Sequence, residues 1–148
     1  MDADLSHNPS ELIKMKERLE VDADLIIGSR YKNGVNVINW PLSRILLSYI
    51  ASIYVRFITS MPIKDPTSGF VGYKRKVLEV INVNKIKFVG YAFQIEMKYK
   101  AWINEFNLKE ESIIFLNRTH CNSKMDSSII LEAFFGVLFL RACKKKTK

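Results

Sequence analysis

Asp2 and Asp4 stand two residues apart in the segment Met1-Asp2-Ala3-Asp4-Leu5-Ser6-His7-Asn8-Pro9. In an extended backbone both carboxylates point to one face, about 6–7 Å apart along the strand. A hard divalent cation fits between two such groups, with further oxygens completing its shell. A diphosphate commonly supplies those oxygens, so the pair suggests metal-assisted chemistry on a nucleotide or nucleotide-sugar. An acidic pair beside a helix start is equally an ordinary solvated cap, so the motif needs company. Cations supply it. Arg30 directly follows an apolar run, Arg44 and Ser48 lie one helical turn apart, and Arg118 and Lys124 flank a Thr-His-Cys-Asn-Ser stretch. Each alone reads as surface charge. Together they make a phosphate clamp, because guanidinium groups hold phosphate oxygens bidentately.

The elements that must position these groups alternate. Asn8 and Pro9 predict a helix start, with Glu11 in the first turn and an end near Glu20. Ala23–Ser29 is a short, mostly apolar run, the pattern of a buried strand. Arg30 to Asn39 contains Asn33-Gly34 and reads as a loop. Pro41 opens a helix to about Ser60 with an apolar stripe of Leu42, Ile45, Leu46, Tyr49, Ile50, Ile53 and Phe57. Pro62 and Pro66 make Met61–Gly69 a loop. Phe70–Lys74 follows as a strand, Lys76–Ile81 as a short helix, Tyr91–Trp102 as a helix and Glu111–Leu116 as a strand. This alternation predicts α/β layering. Gly69 and Gly72 bracket Phe70-Val71, a pattern that suits a turn or a close backbone approach.

Residues 126–148 read as a separate unit after a domain over 1–125. Ile129–Cys143 is almost wholly apolar, broken by Glu132 and Arg141, and Lys144, Lys145, Lys146 and Lys148 follow. The run falls short of the roughly 20 apolar residues that span a bilayer. It predicts either an amphipathic helix lying in a membrane interface beside its lysines or a helix packed on the core.

Composition sets the outer bounds. At 148 residues the chain fits one domain with a real core. It is 48% hydrophobic and 26% charged, which is globular rather than disordered. A formal charge of +8 favours an anionic partner: nucleotide, lipid phosphate, membrane surface or nucleic acid. No nucleic-acid-binding motif accompanies the charge. Cys121 and Cys143 have no metal-type spacing and form no disulfide framework, as expected of reduced thiols inside a cell. The acidic, polar start has no signal-peptide pattern. His7 and His120 have no partner pattern.

Several segments occur in a telling order: Met1 to Pro9, Ile26-Ile27-Gly28-Ser29-Arg30-Tyr31, Ser43-Arg44, Asp65-Pro66-Thr67-Ser68-Gly69-Phe70, Gly90-Tyr91-Ala92-Phe93-Gln94-Ile95-Glu96-Met97, and Arg118 with Ser123-Lys124-Met125. The set closely resembles the polyprenol (dolichol) phosphate mannose synthases, inverting glycosyltransferases of the GT-A fold, over nearly the whole chain. The resemblance implies a partial GT-A α/β structure. It implies transfer of a sugar, usually mannose from GDP-mannose, onto a polyprenyl or dolichyl phosphate at the cytoplasmic face of a membrane, with the enzyme attached peripherally. Mg²⁺ or Mn²⁺ would be held by Asp2 and Asp4, with Ser6 nearby. Arg30, Arg44, Arg118 and Lys124 would meet donor or acceptor phosphates, and Ser48, one turn from Arg44 on the same face, is a further candidate substrate-binding residue. Asp65, Gln94 and Glu96 match motif positions around the sugar site, and Asp2, Asp4, Arg30 and Asp65 form the expected catalytic set. In that family a strand, an early Pro-x-Tyr-Asn-Glu-like segment and another βα unit come before the metal motif. The present sequence starts at that motif, so the resemblance also implies that the nucleotide-binding third is absent and that the isolated chain turns over little GDP-mannose. The family's final loop carries a Gly before Ser-Lys, whereas Thr119-His120-Cys121-Asn122 has none. The alternatives are a non-catalytic fragment of such an enzyme or a basic anion-binding module.

Overall fold

The computed structural model describes residues 6–117 and 127–144, with side chains of the last helix described from 133 to 142. The elements are α1 (Glu11–Val21), β1 (Leu25–Ser29), β2 (Val37–Ile38), α2 (Leu42–Thr59), β3 (Val71–Tyr73), α3 (Arg75–Ile81), a 3₁₀ turn at Val83–Lys85, α4 (Gly90–Ile103), β4 (Leu108–Ser112), β5 (Phe115–Leu116) and α5 (Ser127–Lys144). The predicted α/β alternation is present as a mixed sheet with helices packed on it.

β1 is the centre of a three-stranded sheet in the order β3-β1-β4. It pairs antiparallel with β3, Ile26 opposite Gly72, and parallel with β4, Ile27 opposite Glu110. A parallel partner needs a long crossover, which the intervening helices supply. All five β1 residues are buried, which explains the unbroken apolar run. Side chains alternate across a strand, so β1 feeds two cores. Ile26 joins Met15, Phe70 and Ile113 beneath α1. Leu25 and Ile27 join Val55, Ile63, Val77, Ile95, Tyr99 and others on the opposite side. At Gly72 a Cβ would stand 2.9 Å from Ile26 Cγ2 and 3.0 Å from Leu19 Cδ1, so this glycine lets α1 approach the sheet.

Two sequence expectations need correction. The strand expected at Glu111–Leu116 begins earlier, as β4 at Leu108, stops at Ser112, and resumes as the separate β5. β4 carries Lys109, Glu110 and Glu111, so it lacks the apolar run that marked β1. The loop expected from Arg30 to Asn39 contains β2, which pairs in parallel with β5, Val37 opposite Phe115. Two-residue strands have no periodicity to detect.

The helix expected from Pro41 is present as α2, and its apolar stripe faces outward. Leu42, Leu46, Tyr49, Ile50, Ile53 and Phe57 are all exposed, Phe57 at 83%. The buried side carries Ser52, Val55 and Thr59. Ser52 donates to Ser48 O at 3.0 Å and Thr59 to Val55 O at 2.6 Å, so these hydroxyls satisfy themselves within the helix. α5 packs against α4 and α2, and its Val137 and Leu140 belong to the larger core. Its Phe134, Phe135, Leu138 and Phe139 remain exposed. Over its described side chains α5 is therefore apolar on its packed side and carries four exposed apolar residues with the exposed Arg141 on its open side.

Candidate active site

The site is built at the C-terminal end of β1, where the chain leaves the sheet at Arg30. Arg30 is 8% exposed and Asp65 is fully buried. Arg30 Nε donates to Asp65 Oδ2 at 2.7 Å and Nη2 to Oδ1 at 2.7 Å, a bidentate pair. The Arg30 backbone N–H also donates to Oδ2, at 3.0 Å, and Nη2 reaches Thr67 Oγ1 at 2.9 Å. Burial works against the Asp65 charge, but the Arg30 guanidinium and its hydrogen bonds outweigh it and hold the carboxyl below the usual carboxylate range. The Asp65 loop is anchored from the other side too, since Glu110 accepts the backbone N–H of Lys64 at 2.8 Å and of Asp65 at 2.9 Å. Arg30 was expected among the groups that meet donor or acceptor phosphates; here its Nε and Nη2 bond to Asp65, and the pair braces β1 against the 65–70 loop.

Arg44 and Ser48 come together on the inward side of α2. Arg44 Nη1 donates to Asn117 Oδ1 at 3.1 Å, and its guanidinium lies 4.0 Å from the Trp40 ring centroid. Tyr31, next to Arg30, donates its hydroxyl to Ser48 Oγ at 2.8 Å. One end of α2 is thereby tied to the loop after β1 and to the residue after β5. Ser6 reaches this end as well, because its carbonyl accepts the Leu116 N–H at 3.1 Å. His7 sits 4.7 Å from the Phe70 ring and 5.0 Å from the Phe115 ring, as packing rather than chemistry.

Two expected site residues sit in a different setting. Glu96 is buried, accepts the backbone N–H of Lys87 at 2.9 Å and of Phe88 at 3.1 Å, and pairs with Lys100 at 2.9 Å. It fixes the segment before α4 and is not open to a sugar. Gln94 is half-buried, and its carbonyl accepts from Lys98 Nζ at 3.2 Å. Asp2, Asp4, Arg118 and Lys124 lie outside the described residues. Among the described residues no group of three or more His, Cys, Asp or Glu is arranged to hold a metal.

Sequence reasoning missed Lys98. It is fully buried on α4, and its Nζ donates to Ser68 O at 2.7 Å as well as to Gln94 O. Ser68 in turn donates its Oγ to Gly28 O at 2.6 Å, which ties the loop to β1. A lysine within a helix normally reads as a solvated charge, so no sequence signal marked it. Burial pushes its pKa down to about 7, against the attraction of Asp65 and Glu110 and with the repulsion of Arg30. Between about pH 7 and 10.5 the unfolded chain therefore binds a proton that the folded chain rejects. This group makes stability rise with pH through that window, by up to about 1.4 kcal/mol per pH unit. Urea unfolding of the chain and of Lys98→Met across the window should show a slope in the first that is absent in the second. Equal slopes would show that Lys98 keeps its proton when folded.

Residues 1–81 match the family described as glycosyl transferase family 2. The polyprenol monophosphomannose synthase of Mycolicibacterium smegmatis is 44% identical over 137 residues, covering 93% of this chain and 52% of that protein. The undecaprenyl-phosphate mannosyltransferase of Micrococcus luteus is 36% identical over 137 residues, covering 93% of this chain and 56% of that protein. The chain thus spans about half the length of the curated relatives it matches. With more than half of its own length matched by the family, the chain belongs to glycosyl transferase family 2.

Proposed function

We propose that this chain takes part in transferring mannose from GDP-mannose onto a polyprenyl phosphate at a membrane surface, as part of a GT-A domain attached peripherally to the cytoplasmic face. The observation that carries the reading is α2. One side places Arg44 and Ser48 beside Tyr31, and the other presents Leu46, Ile50, Ile53 and Phe57 outward. A lipid whose phosphate must be held while its chain stays in the bilayer needs that combination. By length and composition α2 is the one helix among the described residues long and apolar enough to cross a membrane. Its inward side packs on the domain, so it lies in the interface with the exposed phenylalanines of α5 beside it. The names of the two relatives, one a polyprenol and one an undecaprenyl-phosphate enzyme, support the same acceptor class.

The donor side rests on Asp2 and Asp4. Two carboxylates, with the Ser6 hydroxyl two residues further along the sequence, would supply an all-oxygen donor set suited to Mg²⁺ or Mn²⁺. When bound, such a cation neutralises charge on the donor diphosphate. The acceptor needs little activation, since a phosphate monoester with a second pKa of about 6 is already anionic near neutral pH. Arg44 would orient that phosphate. The Arg30–Asp65 brace and Lys98 hold the surrounding loops, and Arg118 and Lys124 add cations for the phosphates.

Flotation with phosphatidylcholine vesicles, with and without polyprenyl phosphate, tests this reading. The chain should float with both and more strongly with the phosphate lipid. Arg44→Ala should remove only the added affinity, whereas Ile50→Glu/Phe57→Glu should lower binding to both. Flotation indifferent to the pair on α2 would contradict the membrane assignment.

A further inference from the structure

A second cationic centre lies at the other end of α2. A cleft of about 230 Å³ opens between α2 and the loop after β1, lined by Tyr31, Tyr49, Ser52, Ile53, Arg56 and Lys64. Tyr31 and Tyr49 meet edge to face, ring centroids 5.4 Å apart, and form its aromatic wall. Lys64 Nζ is steadied by the Lys32 carbonyl at 2.9 Å. Among the described residues neither Arg56 nor Lys64 enters an ion pair. The neighbouring carboxylate, Glu110, is taken up by the backbone N–H groups of Lys64 and Asp65.

We infer that this cleft is an anion subsite for the phosphate headgroup of an anionic membrane phospholipid, distinct from the place of the acceptor phosphate. Spacing separates the two. Arg44 and Arg56 are twelve residues apart on one helix, about 18 Å along its axis, so no single phosphate touches both. Size narrows the ligand. The cleft is below the roughly 300 Å³ at which pockets begin to enclose drug-sized molecules, so it takes a headgroup and not a nucleotide-sugar. Position selects a lipid over a free ion. Ile53 is both a cleft wall and part of the exposed apolar face, with Ile50 and Phe57 beside it, so a headgroup at Arg56 and Lys64 has its chains already against α2. Tyr31 joins the two centres, its ring on the cleft and its hydroxyl on Ser48.

The inference rests on α2 lying at the membrane, and the test separates the two. In solution, monomeric dihexanoyl phosphatidylglycerol should give saturable amide shifts at Tyr31, Tyr49 and Ser52, lost in Arg56→Gln/Lys64→Gln. Inorganic phosphate at the same concentration should give far weaker ones. In flotation, adding phosphatidylglycerol to phosphatidylcholine vesicles should strengthen binding, and the double variant should lose roughly 30-fold of that gain. The exposed pair Lys16→Gln/Arg75→Gln should lose much less. Equal losses in the two pairs, absent shifts at the cleft, or equal binding of inorganic phosphate would each overturn the headgroup site. Failure of the chain to float on any vesicle would instead strike the membrane reading, while the solution titration would still decide the cleft.

Discussion

Replacing Asp65 by Asn should destabilise the fold by about 3–5 kcal/mol, the usual cost of breaking a buried ion pair from one side. The reason is what is left behind. Arg30 is buried, and its Nε, Nη2 and backbone N–H all converge on the Asp65 carboxylate. An asparagine offers one acceptor oxygen and no charge, so a guanidinium remains in a buried site without its counter-ion. Arg30→Met should cost a similar amount by stranding the carboxylate. Arg30→Met/Asp65→Leu should cost much less than the sum of the singles, because similarly sized apolar replacements of a whole buried pair are often near neutral. Urea denaturation of the three variants measures this. An Asp65→Asn cost below about 1 kcal/mol would place the pair among weak surface contacts. The pair also sets a pH signature. Asp65 is held below the usual carboxylate range, so its contribution is present above the unfolded value near 3.8 and is lost as pH falls through the lower folded value.

How much of this was readable in the sequence varies with the kind of signal. β1 was legible from its unbroken apolar run and α1 from Asn8-Pro9 with Glu11 in its first turn, and α3 and α4 begin and end within one residue of where the sequence placed them. The β4–β5 split was not, because Lys109, Glu110 and Glu111 are half-buried strand residues whose partners are distant in sequence. The helical period of α2 was correct, but periodicity does not say whether the apolar side faces a core or a membrane. Its direction follows from Ser48 and Ser52 on the inward side, and only the tertiary structure shows that. Arg44 and Ser48 were visible as a pair at i and i+4. The Arg30–Asp65 brace spans 35 positions in sequence, and the burial of Lys98 depends on a loop thirty residues away, so neither leaves a local trace.

The second large effect concerns Asp4. Asn in its place removes one ligand charge from the cation expected to neutralise the donor diphosphate, so mannose transfer should nearly vanish while the fold is kept. The measurement that decides the account uses the Mycolicibacterium smegmatis relative with its matching 137 residues exchanged for those of this chain. That chimera is given radiolabelled GDP-mannose and vesicles containing polyprenyl phosphate. It should form lipid-linked mannose in a reaction that requires Mg²⁺ or Mn²⁺, is lost in Asp4→Asn and is strongly reduced in Arg44→Ala. A folded chimera that transfers no mannose, or one whose transfer is unchanged in Asp4→Asn at saturating metal, would contradict the proposed function.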